Sequence, residues 1–272
     1  MPGTPKKPKW AIARDRARRD GEAESVWLFG LHAVRDALAN PARECRRLIL
    51  TRNAADRLAD VLAGAPLAPE IADARKCPAP LDPHSVHQGA ALEAAPLDWG
   101  DLSALCRPTP EAPCPTVVAL DRVSDPHNAG AILRSAEVFG ARAVLAPRHH
   151  SAPETGALAK AASGALERQP YLRVRNLADA LAQLAEQGYT VLGLDGAAKT
   201  TVERALAPLA AHPVCLVLGA EGPGLRPRTR SMCHGLVRID AARDFASLNV
   251  SNAAAVSLYA CRLARTGAFG ED

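Results

Sequence analysis

From Thr116 onward the chain alternates strand-sized apolar runs with helix-sized amphipathic ones, and no other feature restricts the fold as much. Strands are expected at Val117–Leu120, Ala143–Leu145, Tyr171–Val174, Thr190–Leu194, Val214–Leu218 and Leu236–Ile239. Between them the spacing predicts helices at Ala129–Phe139, closed by Gly140, near Thr155–Ala162, and at Leu177–Gln187 between an Asn176 cap and Gly188. A last helix is expected from Asn249 to Ala264. The strands are apolar almost throughout rather than at alternate positions, so both faces of the sheet must be covered. The expected class is therefore α/β, a parallel sheet with helices on both faces.

The preceding region reads as a smaller α/β domain. It shows a helix around Leu31–Leu38, a strand at Arg47–Leu50, a helix across Asn53–Leu62 with Asn53 as N-cap, and a strand at Gln88–Ala94. Five prolines (96, 108, 110, 113 and 115) then interrupt a stretch of weak periodicity and read as a semi-rigid linker. Residues 1–24 lack hydrophobic periodicity. The division is thus a basic arm at 1–24, a small domain at 25–96, a linker at 97–115 and a large domain at 116–272.

Charge narrows the partners. The net charge is +4, from 33 Lys and Arg against 29 Asp and Glu, but the first 24 residues carry seven bases against four acids. The remainder is nearly neutral, which does not suit a protein that coats nucleic acid without selectivity. Only 10 residues are aromatic, and no two of them alternate along one expected strand, which disfavours single-strand recognition on stacked rings. No apolar run is long enough to span a membrane, and the basic N-terminal stretch has no apolar core of a secretory signal. The seven cysteines form no CxxC pair, so they read as small hydrophobes in a reducing compartment, with no metal site.

In a parallel α/β sheet ligands bind beyond the C-terminal ends of the strands, and three such junctions carry polar clusters. After Leu120 comes Asp121-Arg122-Val123-Ser124-Asp125-Pro126-His127-Asn128-Ala129-Gly130, with Arg134 one turn inside the following helix. After Leu218 comes Gly219-Ala220-Glu221-Gly222-Pro223-Gly224, whose glycines let backbone amides approach a ligand. After Ile239 an irregular stretch ends in Ser247-Leu248-Asn249 and opens the final helix. Each has a plain structural reading: Asp125, Asn128, Ser247 or Asn249 as helix caps, and 219–224 as a tight turn. Together they offer a carboxylate, a guanidinium, an amide and a hydroxyl at the ends of strands of one sheet. No GxGxxG follows the first strand, and GxxxxGK[ST], HExxH and GxSxG are absent.

The segments 121–141 (DRVSDPHNAGAILRSAEVFGA), 216–227 (LVLGAEGPGLRP) and 247–254 (SLNVSNAA) resemble, in order and spacing, the three motifs of the SpoU branch of the SPOUT methyltransferases. The first domain, with Phe29-Gly30-Leu31-His32-Ala33-Val34 and His87-Gln88-Gly89, is similar to the small RNA-binding domain of members that modify ribosomal RNA. Ser151-Ala152-Pro153 and Ala162-Ser163-Gly164-Ala165 resemble the guanosine-modifying subgroup. The resemblance implies a deep trefoil knot, a homodimer formed through the C-terminal domain, and a cytoplasmic enzyme that methylates a ribose 2′-hydroxyl of RNA from S-adenosylmethionine. It places Arg134, Asn128, Glu221, Ser247 and Asn249 at the catalytic centre. The donor falls to Leu218, Gly219, Ala220, Glu221, Gly222, Gly224, Ile239, Ser247, Leu248 and Asn249.

One departure stands out. Where relatives commonly have Ile-Pro-Met-x-Gly, this chain reads Ile239-Asp240-Ala241-Ala242-Arg243. The readings that follow are a ribosomal RNA guanosine methyltransferase, a transfer-RNA ribose methyltransferase, or a knotted RNA-binding or assembly protein without catalysis. Val250, Ala254, Ser257, Cys261 and Ala264 form a small-residue stripe on the last helix, suited either to a second subunit or to the chain's own sheet.

Overall fold

The computed structural model describes residues 25–73, 78–81, 85–242 and 248–267. The expected basic arm, Arg243 and Ser247 lie outside the described residues. The chain divides into two compact units, the first including residues up to Leu97 together with Glu154–Lys160, the second made of Asp98–Pro153 and the rest.

The first unit contains β1 (Val26–Phe29), α1 (Leu31–Ala39), β2 (Cys45–Leu50), α2 (Arg52–Arg57), α3 (Ala59–Leu62), β3 (Glu70–Ile71) and β4 (Ala90–Ala94). Its sheet runs β1-β4-β2-β3, with β4 antiparallel to both neighbours and β3 parallel to β2. Helix α1 buries Leu31, Val34, Ala37 and Leu38 on one face, as its periodicity requires. The expected cap at Asn53 is corrected. Thr51 caps α2 by accepting from the Ala54 amide, and the helix breaks at Leu58. Gly89 makes room for that cap, because a Cβ there would lie 2.3 Å from the Thr51 hydroxyl oxygen. Gln88, held at φ +54°, turns its Oε1 to the Leu31 amide at 3.2 Å. This satisfies one of the orphan donors at the start of α1, where Gly30 offers no side chain.

The rest of the chain runs α4 (Leu102–Leu105), β5 (Thr116–Asp121), α5 (Pro126–Val138), β6 (Ala143–Pro147), α6 (Gly156–Ala162), β7 (Tyr171–Val174), α7 (Leu177–Glu186), β8 (Thr190–Leu194), β9 (Thr200–Thr201), α8 (Val202–Leu206), β10 (Val214–Gly219), α9 (Pro227–Ser231), β11 (Gly235–Arg238) and α10 (Val250–Arg265), all of it in the second unit except α6, which belongs to the first as far as Lys160. All strand pairs are parallel, in the order β7-β6-β5-β10-β8-β11-β9. Every residue of β5 and of β6 is buried. Val117, Ala119, Cys215 and Val217 share one core with Leu102 of α4 and Leu177, Leu181 and Leu184 of α7. Alternation then turns Val118, Leu120, Leu216 and Leu218 to the other face, where α10 packs on β10 and α5 on β6.

The proline-rich stretch, expected as a semi-rigid linker, packs within the second unit. Residues 98–115 belong to the second unit, where Leu102 and Cys106 are buried and the Tyr189 hydroxyl donates to the Cys106 carbonyl at 2.6 Å. Prolines interrupt hydrogen bonding locally but do not prevent the residues between them from packing. The stripe Val250, Ala254, Ser257, Cys261 and Ala264 is buried within this chain, since α10 lies on α5, α8 and β10. Burial pushes the Cys106 thiol up to about 12 and the Cys261 and Cys233 thiols up to about 11, as suits sulfurs used for packing.

Candidate active site

Three loops converge at the C-terminal edge of β5 and β10. Asp125 caps α5 by accepting from the His127 amide, with Pro126 at the first helical position, where a missing N–H costs nothing. The capping reading therefore holds for Asp125 but not for Asn128, whose side chain crosses to residues 93 and 121 positions away. Its amide nitrogen donates to Glu221 Oε1 at 3.2 Å, and its carbonyl oxygen accepts from Asn249 at 2.9 Å.

Asn249 does two things at once. Its Oδ1 caps α10, accepting from the Ser251 amide at 2.9 Å and the Ser251 hydroxyl at 2.6 Å. The cap fixes the orientation of the amide, so Nδ2 must point away from the helix. It donates there to Glu221 Oε1 at 2.7 Å and to Asn128. Asn128, Glu221 and Asn249, one from each motif, thus close a ring of hydrogen bonds. Among the described residues, Oε2 of Glu221 has no such bond, and this side chain is exposed.

The second loop is held from below. Asp121, the last residue of β5, is fully buried and accepts from Arg226 through its amide at 2.9 Å and its Nε at 2.7 Å. Sequence reading passed over this pair although Asp121 stood in the first motif. A carboxylate ending an otherwise apolar buried strand was the available signal, since such a charge needs a partner. The tight-turn reading applies to Gly219: a Cβ there would lie 2.2 Å from the Gly224 carbonyl carbon, so the loop requires glycine to fold back on itself. The Gly224 amide donates to the Ala220 carbonyl and closes the return.

Arg134 lies six residues beyond Asn128 on α5, ~9 Å along the helix axis. It is exposed, and among the described residues it makes no hydrogen bond or ion pair. Of the predicted residues, the structure therefore joins Asn128, Glu221 and Asn249 directly and leaves Arg134 facing solvent on the same helix as Asn128. Leu218 is buried at the end of β10; Ile239 is half-buried just past β11, and Leu248 is 50% exposed. Asp240, in the departing third motif, bonds to Arg238 at 3.1 Å.

The sequence and the fold have counterparts among known proteins. The family model described as the SpoU rRNA Methylase family matches residues 115–259. The chain is 38% identical over 245 residues to a protein of Ralstonia nicotianae named 23S rRNA (guanosine-2'-O-)-methyltransferase RlmB, covering 87% of this chain and 95% of that one. A protein of the same name from Pseudomonas aeruginosa is 36% identical, with 89% and 98% covered. Among solved structures, the SpoU methyltransferase AviRb of Streptomyces viridochromogenes in complex with AdoMet shares the fold at TM-score 0.75 and 21% identity, covering 95% of each chain. A putative RNA methyltransferase of the TrmH family from Porphyromonas gingivalis reaches TM-score 0.69 at 26% identity, covering 92% of each. With the three motifs gathered at one sheet edge and the family model spanning more than half its length, this chain belongs to the SpoU rRNA methylase family.

Proposed function

We propose that the protein methylates the ribose 2′-hydroxyl of a guanosine in large-subunit ribosomal RNA. The ring of Asn128, Glu221 and Asn249 carries this reading together with Arg134 further along α5, because one helix then offers groups that bind neutral hydroxyls and a cation that, among the described residues, has no partner and can meet phosphate. The relatives named for this reaction cover nearly their whole length here.

S-Adenosylmethionine, when bound, supplies the methyl group. The residues present suit such a donor: an ideal Cβ at Gly222 or Gly224 would have nothing within 4 Å, and the half-buried Ile239 and the exposed Leu248 offer apolar surface for an adenine. In-line displacement asks the protein to hold the 2′-oxygen in place and to ease loss of its proton. A guanidinium stays protonated throughout the accessible pH range, so Arg134 grips the adjacent phosphate and orients the ribose rather than acting as a free base. The free Oε2 of Glu221 and the second Asn128 N–H are the groups positioned to bond ribose hydroxyls.

The rest of the reading follows the family resemblance. The second unit carries a trefoil knot, the first serves as the RNA-binding domain, the arm at 1–24 tethers RNA phosphates, and the enzyme works as a cytoplasmic homodimer. Support for the dimer comes from an outward apolar face on the second unit: Val138 is 71%, Tyr259 51% and Val256 39% exposed, and the Phe139 and Tyr259 rings lie 5.9 Å apart.

The test uses methyl-labelled donor and RNA from cells lacking the protein. Label is expected in one 2′-O-methylguanosine of the large-subunit RNA, lost in Arg134→Ala and not rescued by Arg134→Lys, which lacks the planar fork. Label in transfer RNA would move the assignment to that substrate. Absence of donor binding at millimolar concentration in calorimetry would overturn it in favour of a non-catalytic RNA-binding protein.

A further inference from the structure

A cleft of about 540 Å³ opens in the second unit where β6 and β7 end, with Arg148, Arg173, Arg175, Asp101 and Asp179 among its lining. It sits at the same C-terminal edge as the candidate site, two strands from β5 and so ~10 Å along the sheet. Both acids there are engaged. Asp101 accepts from the Ser103 and Ala104 amides as the cap of α4, and Asp179 pairs with Arg228 at 3.1 Å.

The three arginines divide differently. Arg173 is a staple: its Nη1 donates to the Ala152 carbonyl at 2.6 Å and its Nη2 to Pro147, Arg148 and the Ser151 hydroxyl at 2.9–3.1 Å. It fixes the loop that presents Arg148. Arg148 in turn donates its Nε to the Arg173 carbonyl at 3.1 Å, which holds the side chain, and among the described residues both terminal nitrogens stay uncommitted. Arg175 is exposed and makes no hydrogen bond or ion pair among the described residues. Two guanidiniums, one of them braced, thus line a cleft in which three arginines outnumber two aspartates, one aspartate held by helix amides and the other paired with Arg228. Like charges gathered this way gain nothing for folding and suit an anionic ligand. No aromatic side chain lines the cleft, so it offers bases nothing to stack on.

We propose that this cleft holds backbone phosphates of the RNA strand next to the target nucleotide, setting its register at the Asn128 ring. The proposal rests on the RNA methyltransferase reading and names a contact surface for that substrate.

The experiment compares the full chain with Arg148→Gln/Arg175→Gln and Arg148→Lys/Arg175→Lys, using a large-subunit RNA transcript as probe and titrating salt. In the Gln pair the slope of log affinity against log salt should fall by about 1.4 to 1.8, the value for two lost phosphate contacts on single-stranded or duplex nucleic acid. Donor binding should stay unchanged, and the Lys pair should recover the slope. An unchanged slope in the Gln pair, with methylation intact, overturns the cleft alone. Transcript binding without methylation overturns the enzymatic reading alone, and the slopes still decide the cleft. Binding of inorganic pyrophosphate that the Gln pair loses, with RNA affinity unmoved, assigns the cleft to a small anion and overturns the proposal.

Discussion

The C-terminal edge of the large sheet has two halves that treat polar side chains in opposite ways. Beyond β5 and β10, Asp121 is matched to Arg226, and Asn128, Glu221 and Asn249 are matched to one another. Beyond β6 and β7, Arg148 and Arg175 form no ion pair among the described residues, although Asp101 and Asp179 line the same cleft. The first half is built for geometry, where a shift of an ångström matters. The second is built for charge, whose pull falls slowly with distance and tolerates motion. Substitutions should therefore cost stability in the first half and leave it nearly untouched at Arg148 and Arg175 in the second, where Arg173 alone serves the loop's structure.

The largest effect is expected at Asp121→Ala, which removes the buried anchor of the second loop while Arg226, 40% exposed, stays solvated. Losing two hydrogen bonds to a buried carboxylate costs about 2–4 kcal/mol, and urea unfolding should show it; a loss below ~1 kcal/mol would remove the distinction between the halves. Gly219→Ala comes next, at about 1–3 kcal/mol, because the new methyl group meets backbone rather than a movable side chain. Asn249→Ala should cost about 1 kcal/mol as a lost cap yet lower methyl transfer by about 100-fold, since it also frees Glu221 and Asn128. Equal losses in stability and rate would reduce Asn249 to a cap. The smallest change belongs to Arg175→Gln, within ~0.5 kcal/mol in urea, visible only in the salt dependence of RNA binding.

Much of this was legible in the sequence. Six of the seven strands of the large sheet fell within a residue or two of their expected limits, because buried parallel strands are continuous apolar runs; the two-residue edge strand β9, Thr200–Thr201, has no such run and was not expected. The cap at Asn176 was readable for the same local reason: its side chain meets the amide of Ala178, two residues on. Thr51 was missed because Thr and Asn are both good caps and the choice depends on Gly89, far along the chain. The pairing of Asp121 with Arg226 spans 105 residues and leaves no periodic trace. The motifs brought Asn128, Glu221 and Asn249 into one list, but which of them bond to one another and which stays free could come only from coordinates.

The double duty of Asn249 sets an order of events during synthesis. Residues 128 and 221 leave the ribosome first, and domains fold from the N-terminal side as the chain emerges. Until residue 249 appears, Glu221 has no second donor, and α10, which follows, has not been made to cover β10 and α5. A chain cut short before that point keeps the strands of its sheet but neither the cover of that face nor its site, so an unfinished copy that bound RNA would occupy it without modifying it.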